Sequence, residues 1–226
     1  MRAAATLLLV VSMLTGCAHT APAAAPAPKA PVPCLSQADD ALFASCLRTE
    51  LTEVWDREFR DTGRTYSSPQ LTVGDDPGPR GERTRDDGPD RAFYSPRSGI
   101  HFPTRYLDAV HTAHGPRAHV VLTFTMGHEI GHHVQFLLHP RIDVPVNELE
   151  AQADCYAGVW ARQEADTGRL VTGEFRSAAA AELGRLSSYP NEVATHGNPD
   201  QRLASLDKGL HSGEPAACDV GQLTWR

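Results

Sequence analysis

Two histidines four residues apart, His128 and His132, sit in the string His-Glu-Ile-Gly-His inside a long apolar segment. Gly115 and Pro116 supply an N-cap and a first-turn proline for that segment, and Pro140 ends it, so a helix is expected to about Leu138. On a helix, side chains four apart project from one face, one turn from each other. Both imidazoles can then share one tetrahedral zinc ion at about 2.0–2.1 Å. Glu129 stands about a hundred degrees around the helix from His128, placed to reach a water on the ion rather than the ion itself. The pattern points to hydrolysis assisted by a metal.

Such a site needs a third protein ligand. The metzincin pattern would put Gly at position 135 and His at 138, where this chain has Gln135 and Leu138. His139 lies about 10 Å further along the axis, too far to share the ion, and reads as a helix-end cation. The remaining candidates are acidic: Asp143 in the connecting loop, and Glu148, Glu150 and Asp154 in a helix expected from Val146 to Asp166, stopped at Gly168. Glu150 is the favoured ligand, because Asp154 follows four residues later on its face and can accept the free N–H of a ligating histidine. Glu148 points about two hundred degrees away, with Gln152 at the corresponding offset. His196, just before the Asn198-Pro199 opening of the last helix, is the candidate donor to an oxyanion, with helix capping as its alternative role. Tyr189 and Tyr156 are weaker candidates, with burial as their alternative. His133 reads as packed or solvent-facing, and His101, His111, His114, His119 and His211 have no partner at ligand spacing and read as surface or structural.

The remaining elements are simpler. Residues 38–60 carry Leu42, Phe43, Cys46, Leu47, Leu51, Val54, Trp55 and Phe59 at the three-and-four spacing of an amphipathic helix. Residues 74–90, rich in Gly, Pro and charge, read as a mobile surface loop. Ala92–Tyr94 and Gly99–Phe102 read as a small hairpin across a Ser-Pro-Arg-Ser turn. Four helices are expected to complete the chain, the first starting at Gly115.

The N-terminus reads as a targeting segment. Arg2 and the apolar run Ala3–Leu14 have the form of a signal peptide, too short to span a bilayer comfortably. Leu14-Thr-Gly-Cys17 resembles the lipobox of bacterial lipoproteins, which places a signal peptide at residues 1–16 and a lipidated N-terminus at Cys17. Residues 18–33 hold seven Ala and five Pro, a semi-rigid tether of at most roughly 50 Å at about 3.1 Å per residue. The lipidated cysteine and tether thus occupy residues 17–33, and residues 34–226 form one domain. The expected location is outside the cytoplasmic membrane, attached to the cell envelope through the lipid alone. Cys34, Cys46, Cys155 and Cys218 remain, an even set in an exported chain, with three pairings possible. A net charge of −7 without any basic block excludes a nucleic-acid surface. Oligomeric state has no signature in the sequence.

Residues 127–135 (GHEIGHHVQ), 148–161 (ELEAQADCYAGVWA) and 195–202 (THGNPDQR) resemble, in order and spacing, the signature blocks of the neutral zinc metallopeptidase family of bacteria. Residues 92–110 resemble the segment that precedes its zinc helix, and Cys218-Asp219 its terminal Cys-Asp, so the resemblance covers about residues 46–220. It implies an α+β, mainly α, compact gluzincin-like domain with a small β-hairpin or short sheet before the zinc helix. It also implies one zinc per chain on His128, His132 and Glu150, with Glu129 as general base. Ser95 stands where the family usually has cysteine, and residues 74–90 lack the partner cysteine, so one family disulfide is missing. Cys34 with Cys46 would be a local substitute, while Cys155 with Cys218 would tie the second zinc helix to the C-terminal tail. The expected activity is zinc-dependent cleavage of a peptide or protein substrate. Two alternatives are a tethered binding or scaffold protein with a structural zinc, and a cell-wall amidase.

Overall fold

The computed structural model describes residues 33–74, 91–141, 143–189 and 192–225. The signal peptide, Cys17, the tether up to residue 32 and residues 75–90 of the charged loop lie outside the described residues. Helix α1 (Asp40–Asp61) begins where the Asp39 carboxylate accepts the Leu42 N–H at 2.9 Å. Its apolar stripe, from Phe43 through Leu47, Leu51 and Trp55 to Phe59, is buried. A three-stranded sheet follows, made of β1 (Leu71–Val73), β2 (Phe93–Ser95) and β3 (Gly99–Phe102) in the order β1-β3-β2. The expected hairpin is present, with Tyr94 opposite Ile100 in antiparallel register. The parallel partner β1, Leu71 opposite Ile100, has no periodicity of its own to announce it: three residues are too few to display alternation. Gly99 is required where β3 begins. Its φ is 87°, and a Cβ there would lie 2.2 Å from the Gln70 carbonyl oxygen.

Among the described residues, six helices rather than four follow the sheet: α2 (Thr104–His114), α3 (Ala118–Leu138), α4 (Val146–Asp166), α5 (Thr172–Leu186), α6 (Glu192–His196) and α7 (Pro199–Ser212). Gly115 serves α2 as its C-cap, and Gly115–Arg117 is a 3-10 turn, so α3 starts at Ala118 rather than at the glycine. α2 escapes a periodicity reading because it is short and buries only Tyr106, Leu107 and Val110. The architecture is mainly α with one small sheet, as expected.

α4 is the central element, packed against α3 on one side and α7 on the other, with α5 closing over α3 and α7. Missing side chains set the helix spacing. A Cβ on Gly131 would stand 2.7 Å from the Ala153 carbonyl oxygen, and one on Gly209 2.0 Å from that of Cys155. The glycine of the His-Glu-Ile-Gly-His string therefore lets α3 lie directly on α4. Two disulfides add covalent ties: Cys34–Cys46 joins the turn before α1 to that helix, and the buried Cys155–Cys218 joins α4 to the tail. Trp225 then buries among Trp55, Phe59 and Tyr156. No helix among the described residues is long and apolar enough to cross a membrane.

Candidate metal centre

His128, Glu129 and His132 lie on the face of α3 that meets α4, and Glu150 and Asp154 lie on the facing side of α4. The Nε2 atoms of His128 and His132 are 3.1 Å apart, and the Glu150 carboxylate faces both, with Oε2 3.3 Å from His128 Nε2 and Oε1 3.3 Å from His132 Nε2. Metal bonds of about 2.0–2.1 Å in a tetrahedron separate neighbouring ligand atoms by about 3.3 Å. The two imidazoles and the Glu150 carboxylate thus already stand at the spacing of one zinc coordination sphere.

The hydrogen bonds behind the ring nitrogens fix what those donors are. His128 Nδ1 lies 2.8 Å from Asp154 Oδ1, an acceptor. His132 Nδ1 lies 2.9 Å from Gln135 Oε1, and the Gln135 amide is oriented by donating from Nε2 to the Leu149 carbonyl at 2.8 Å. Each ring therefore carries its proton on Nδ1 and turns the lone pair of Nε2 toward the other ring and toward the Glu150 carboxylate. Three electron-rich atoms that meet in a buried site require a cation between them. Burial disfavours a charge on His128, but Asp154 and Glu150 outweigh it and raise its pKa to about 10, so without a metal a proton fills that need. The donor set fits zinc.

Arg202, in the first turns of α7, completes the inner structure. Its guanidinium donates to Asp154 from Nε at 2.8 Å and from Nη2 at 3.0 Å, and Nη2 lies 3.4 Å from Glu150 Oε2. Burial alone would raise the pKa of both carboxyls, but Arg202 first and then the histidines hold Glu150 well below the ordinary carboxylate range and Asp154 below it. Glu129 behaves oppositely: burial raises its pKa, only partly opposed by His128 and His132. A carboxylate with a raised pKa beside a metal position is suited to accept and return a proton.

A cleft of about 500 Å³ opens over His128, Glu129, His132 and Glu150. Its walls are largely aromatic and aliphatic, with Tyr94 and Phe93 from β2, Phe124 and Phe136 from α3, and Leu149 and Leu186. His196 also lines it, so the structure brings that residue to the cavity that holds Glu129. Tyr156 is buried in the aromatic cluster with Trp55 and Trp225, and Tyr189 accepts a hydrogen bond from Arg185; neither is among the described residues that line the cleft. Glu148 stands against Gly221 of the tail, and Asp143 is exposed. His139 is the C-cap of α3 and lines the cleft, where its Nε2 donates to the Thr224 carbonyl at 2.7 Å and ties the ring to the tail. His133 is packed, between Tyr94 Oη at 2.9 Å and the Ser67 carbonyl at 2.6 Å.

Two residues of the centre have no role in the sequence reading, Gln135 and Arg202. Both lie inside conspicuous blocks, but neither is at ligand spacing. Arg202 is 48 residues from Asp154, a distance no helical periodicity spans. Gln135 is three residues after His132 and could be found there as a local acceptor.

The sequence matches the family described as putative neutral zinc metallopeptidase over residues 6–220. It is 30% identical over 208 residues to the uncharacterized protein YpfJ of Escherichia coli K12, an alignment covering 80% of this chain and 71% of that protein. It is also 32% identical over 125 residues to the uncharacterized protein Mb2605 of Mycobacterium bovis, which covers 43% of each. No solved structure matches the chain.

Proposed function

From the chain's membership of the neutral zinc metallopeptidase family and the geometry of its metal centre, we propose that it hydrolyses peptide bonds with one bound zinc outside the cytoplasmic membrane. The observation that carries this reading is the convergence of His128 Nε2, His132 Nε2 and the Glu150 carboxylate beneath an open cleft, with Glu129 buried at their side. Zinc bound there supplies a Lewis acid that polarises the scissile carbonyl and acidifies the attacking water. Glu129 takes the water's proton and delivers it to the leaving amine. Asp154 and Arg202 hold His128 in its Nδ1–H tautomer, and Gln135 does the same for His132. His196, on the wall of the same cleft, is assigned as donor to the developing oxyanion.

A purely structural zinc would be expected to close with a fourth protein ligand and would have no use for Glu129. The open cleft favours the hydrolase over a scaffold. A cell-wall amidase uses the same chemistry and differs only in substrate. The two disulfides support an oxidising, extracytoplasmic location, and lipid attachment at Cys17 would hold the domain within the reach of its Ala/Pro tether. The decisive experiment is cleavage of a diverse peptide library and of peptidoglycan fragments, with and without chelator. Chelator-sensitive peptide cleavage is expected; zinc binding with no turnover of either substrate would move the assignment to a scaffold.

A further inference from the structure

A second group of metal-ligating side chains lies away from the cleft, where three helices meet. Asp40 is the first residue of α1, His111 lies in the last turn of α2, and His119 is the second residue of α3. His111 Nε2 is 2.9 Å from Asp40 Oδ1 and 3.1 Å from Oδ2, and His119 Nε2 is 3.0 Å from the same Oδ1. The three ligand atoms all lie within 4.8 Å of one another. Sequence spacing hides the group, since Asp40 is 71 residues from His111 and 79 from His119. The turn at Gly115–Arg117 folds α2 back onto α3 and brings the two imidazoles together.

The orientation is not that of two idle surface rings. His119 stacks on Phe43 with centroids 4.3 Å apart and planes 4° from parallel, which fixes its plane before any ligand arrives. His111 meets it edge-on at 5.7 Å. Side-chain exposure runs from 15% for His119 and 23% for Asp40 to 43% for His111, so the group is anchored at its base and open on one side. An ion can enter from solvent and keep water in its remaining positions. Imidazole with carboxylate suits zinc and its neighbours among the divalent transition metals, and is poorly matched to magnesium or calcium, which take oxygen ligands.

We propose that Asp40, His111 and His119 form a second, solvent-open binding site for a divalent transition metal, which clamps the start of α1 to the corner between α2 and α3. Each histidine gives up its Nε2 proton to solvent as the ion takes its place. The site is weaker than the buried centre, because its ligands stay hydrated and exchange the ion freely.

The test uses the mature chain, stripped with chelator and dialysed against increasing zinc chloride. Two equivalents per chain are expected, the second with a dissociation constant at least ten-fold higher than the first. Asp40→Asn and His111→Asn, which remove the shared carboxylate and the most exposed imidazole, should each leave one equivalent. Diethyl pyrocarbonate labelling of the native chain, mapped by mass spectrometry, should show His111 and His119 becoming protected as the second equivalent binds, whatever the fate of the variants. A single equivalent at saturation overturns the proposal, as does a second one that leaves His111 and His119 fully reactive or persists in both variants. Peptide cleavage does not enter these readouts, so failure of the proposed hydrolase would be seen separately.

Discussion

The molecule presents the same trio, two imidazoles and a carboxylate, in two very different settings. At the His128–His132–Glu150 centre every ring is backed by a buried acceptor, and Arg202 balances the carboxylates. At the Asp40–His111–His119 group the rings are positioned by Phe43 and by one partly exposed carboxylate, with solvent beyond. Ligand atoms converge in both, but the first group is held by a buried network and faces a cleft, whereas the second stays partly exposed. The surrounding hydrogen bonds and the neighbouring Glu129 distinguish the buried group, and they are the basis for proposing chemistry at that group alone.

The largest test of that contrast is Glu129→Gln. Gln keeps the shape and cannot accept a proton, so turnover should fall about 10²–10⁴-fold while zinc content stays at the native value. Steady-state kinetics with elemental analysis checks both; loss of zinc along with activity would mean that Glu129 serves the metal rather than the reaction.

Next in size is Arg202→Met. Asp154 is fully buried, and removing the guanidinium leaves it paired only to His128. Breaking a buried charge pair on one side costs about 3–5 kcal/mol, which urea unfolding of the chelated protein would measure. An unchanged unfolding midpoint would place the network's strength elsewhere.

Gln135→Ala removes the acceptor behind His132 while leaving every proposed ligand in place. Zinc affinity should weaken about 10–100-fold, read by competition with a chromogenic chelator, while the Glu129 chemistry remains. A fall in turnover at saturating zinc with no change in affinity would instead assign Gln135 to substrate handling.

The smallest effect belongs to the exposed group. With metal absent, His111→Asn removes a contact between partly hydrated side chains, and exposed pairs contribute only about 0–1 kcal/mol. Adding zinc should raise the melting temperature of the native chain in a second step that this variant lacks. If the variant already unfolds several degrees earlier in chelator, the trio is a structural ion pair in its own right.

Much of the buried centre was legible in the sequence because it is written at helical spacing. His128, Glu129 and His132 sit within one turn and a half, Glu150 and Asp154 lie one turn apart, and apolar periodicity with Pro and Gly boundaries located α3 and α4. The preference for Glu150 over Glu148 rested on Asp154 sharing its face, and Asp154 does stand behind His128, with Glu148 turned to the tail. What resisted reading was of two kinds. Short elements such as β1, α2 and α6 carry too few residues for a period to show. Partners distant in sequence, Arg202 for Asp154 and Asp40 for His119, follow no spacing rule.

Local pattern alone therefore located the long helices α1, α3 and α4 and the residues of the buried centre that share their faces, since backbone geometry maps spacing onto direction within a single helix. The pairing of cysteines required more than arithmetic, as four allow three connectivities and only the fold brings Cys155 to Cys218. Tertiary structure also decided how near the helices lie: Gly131 lets α3 rest on the Ala153 backbone, and that closeness is what carries Glu150 to within 3.3 Å of both histidines. The physical reason is that direction along a helix is a local property, whereas the distance between two helices is settled by the side chains that fill, or leave empty, the space between them.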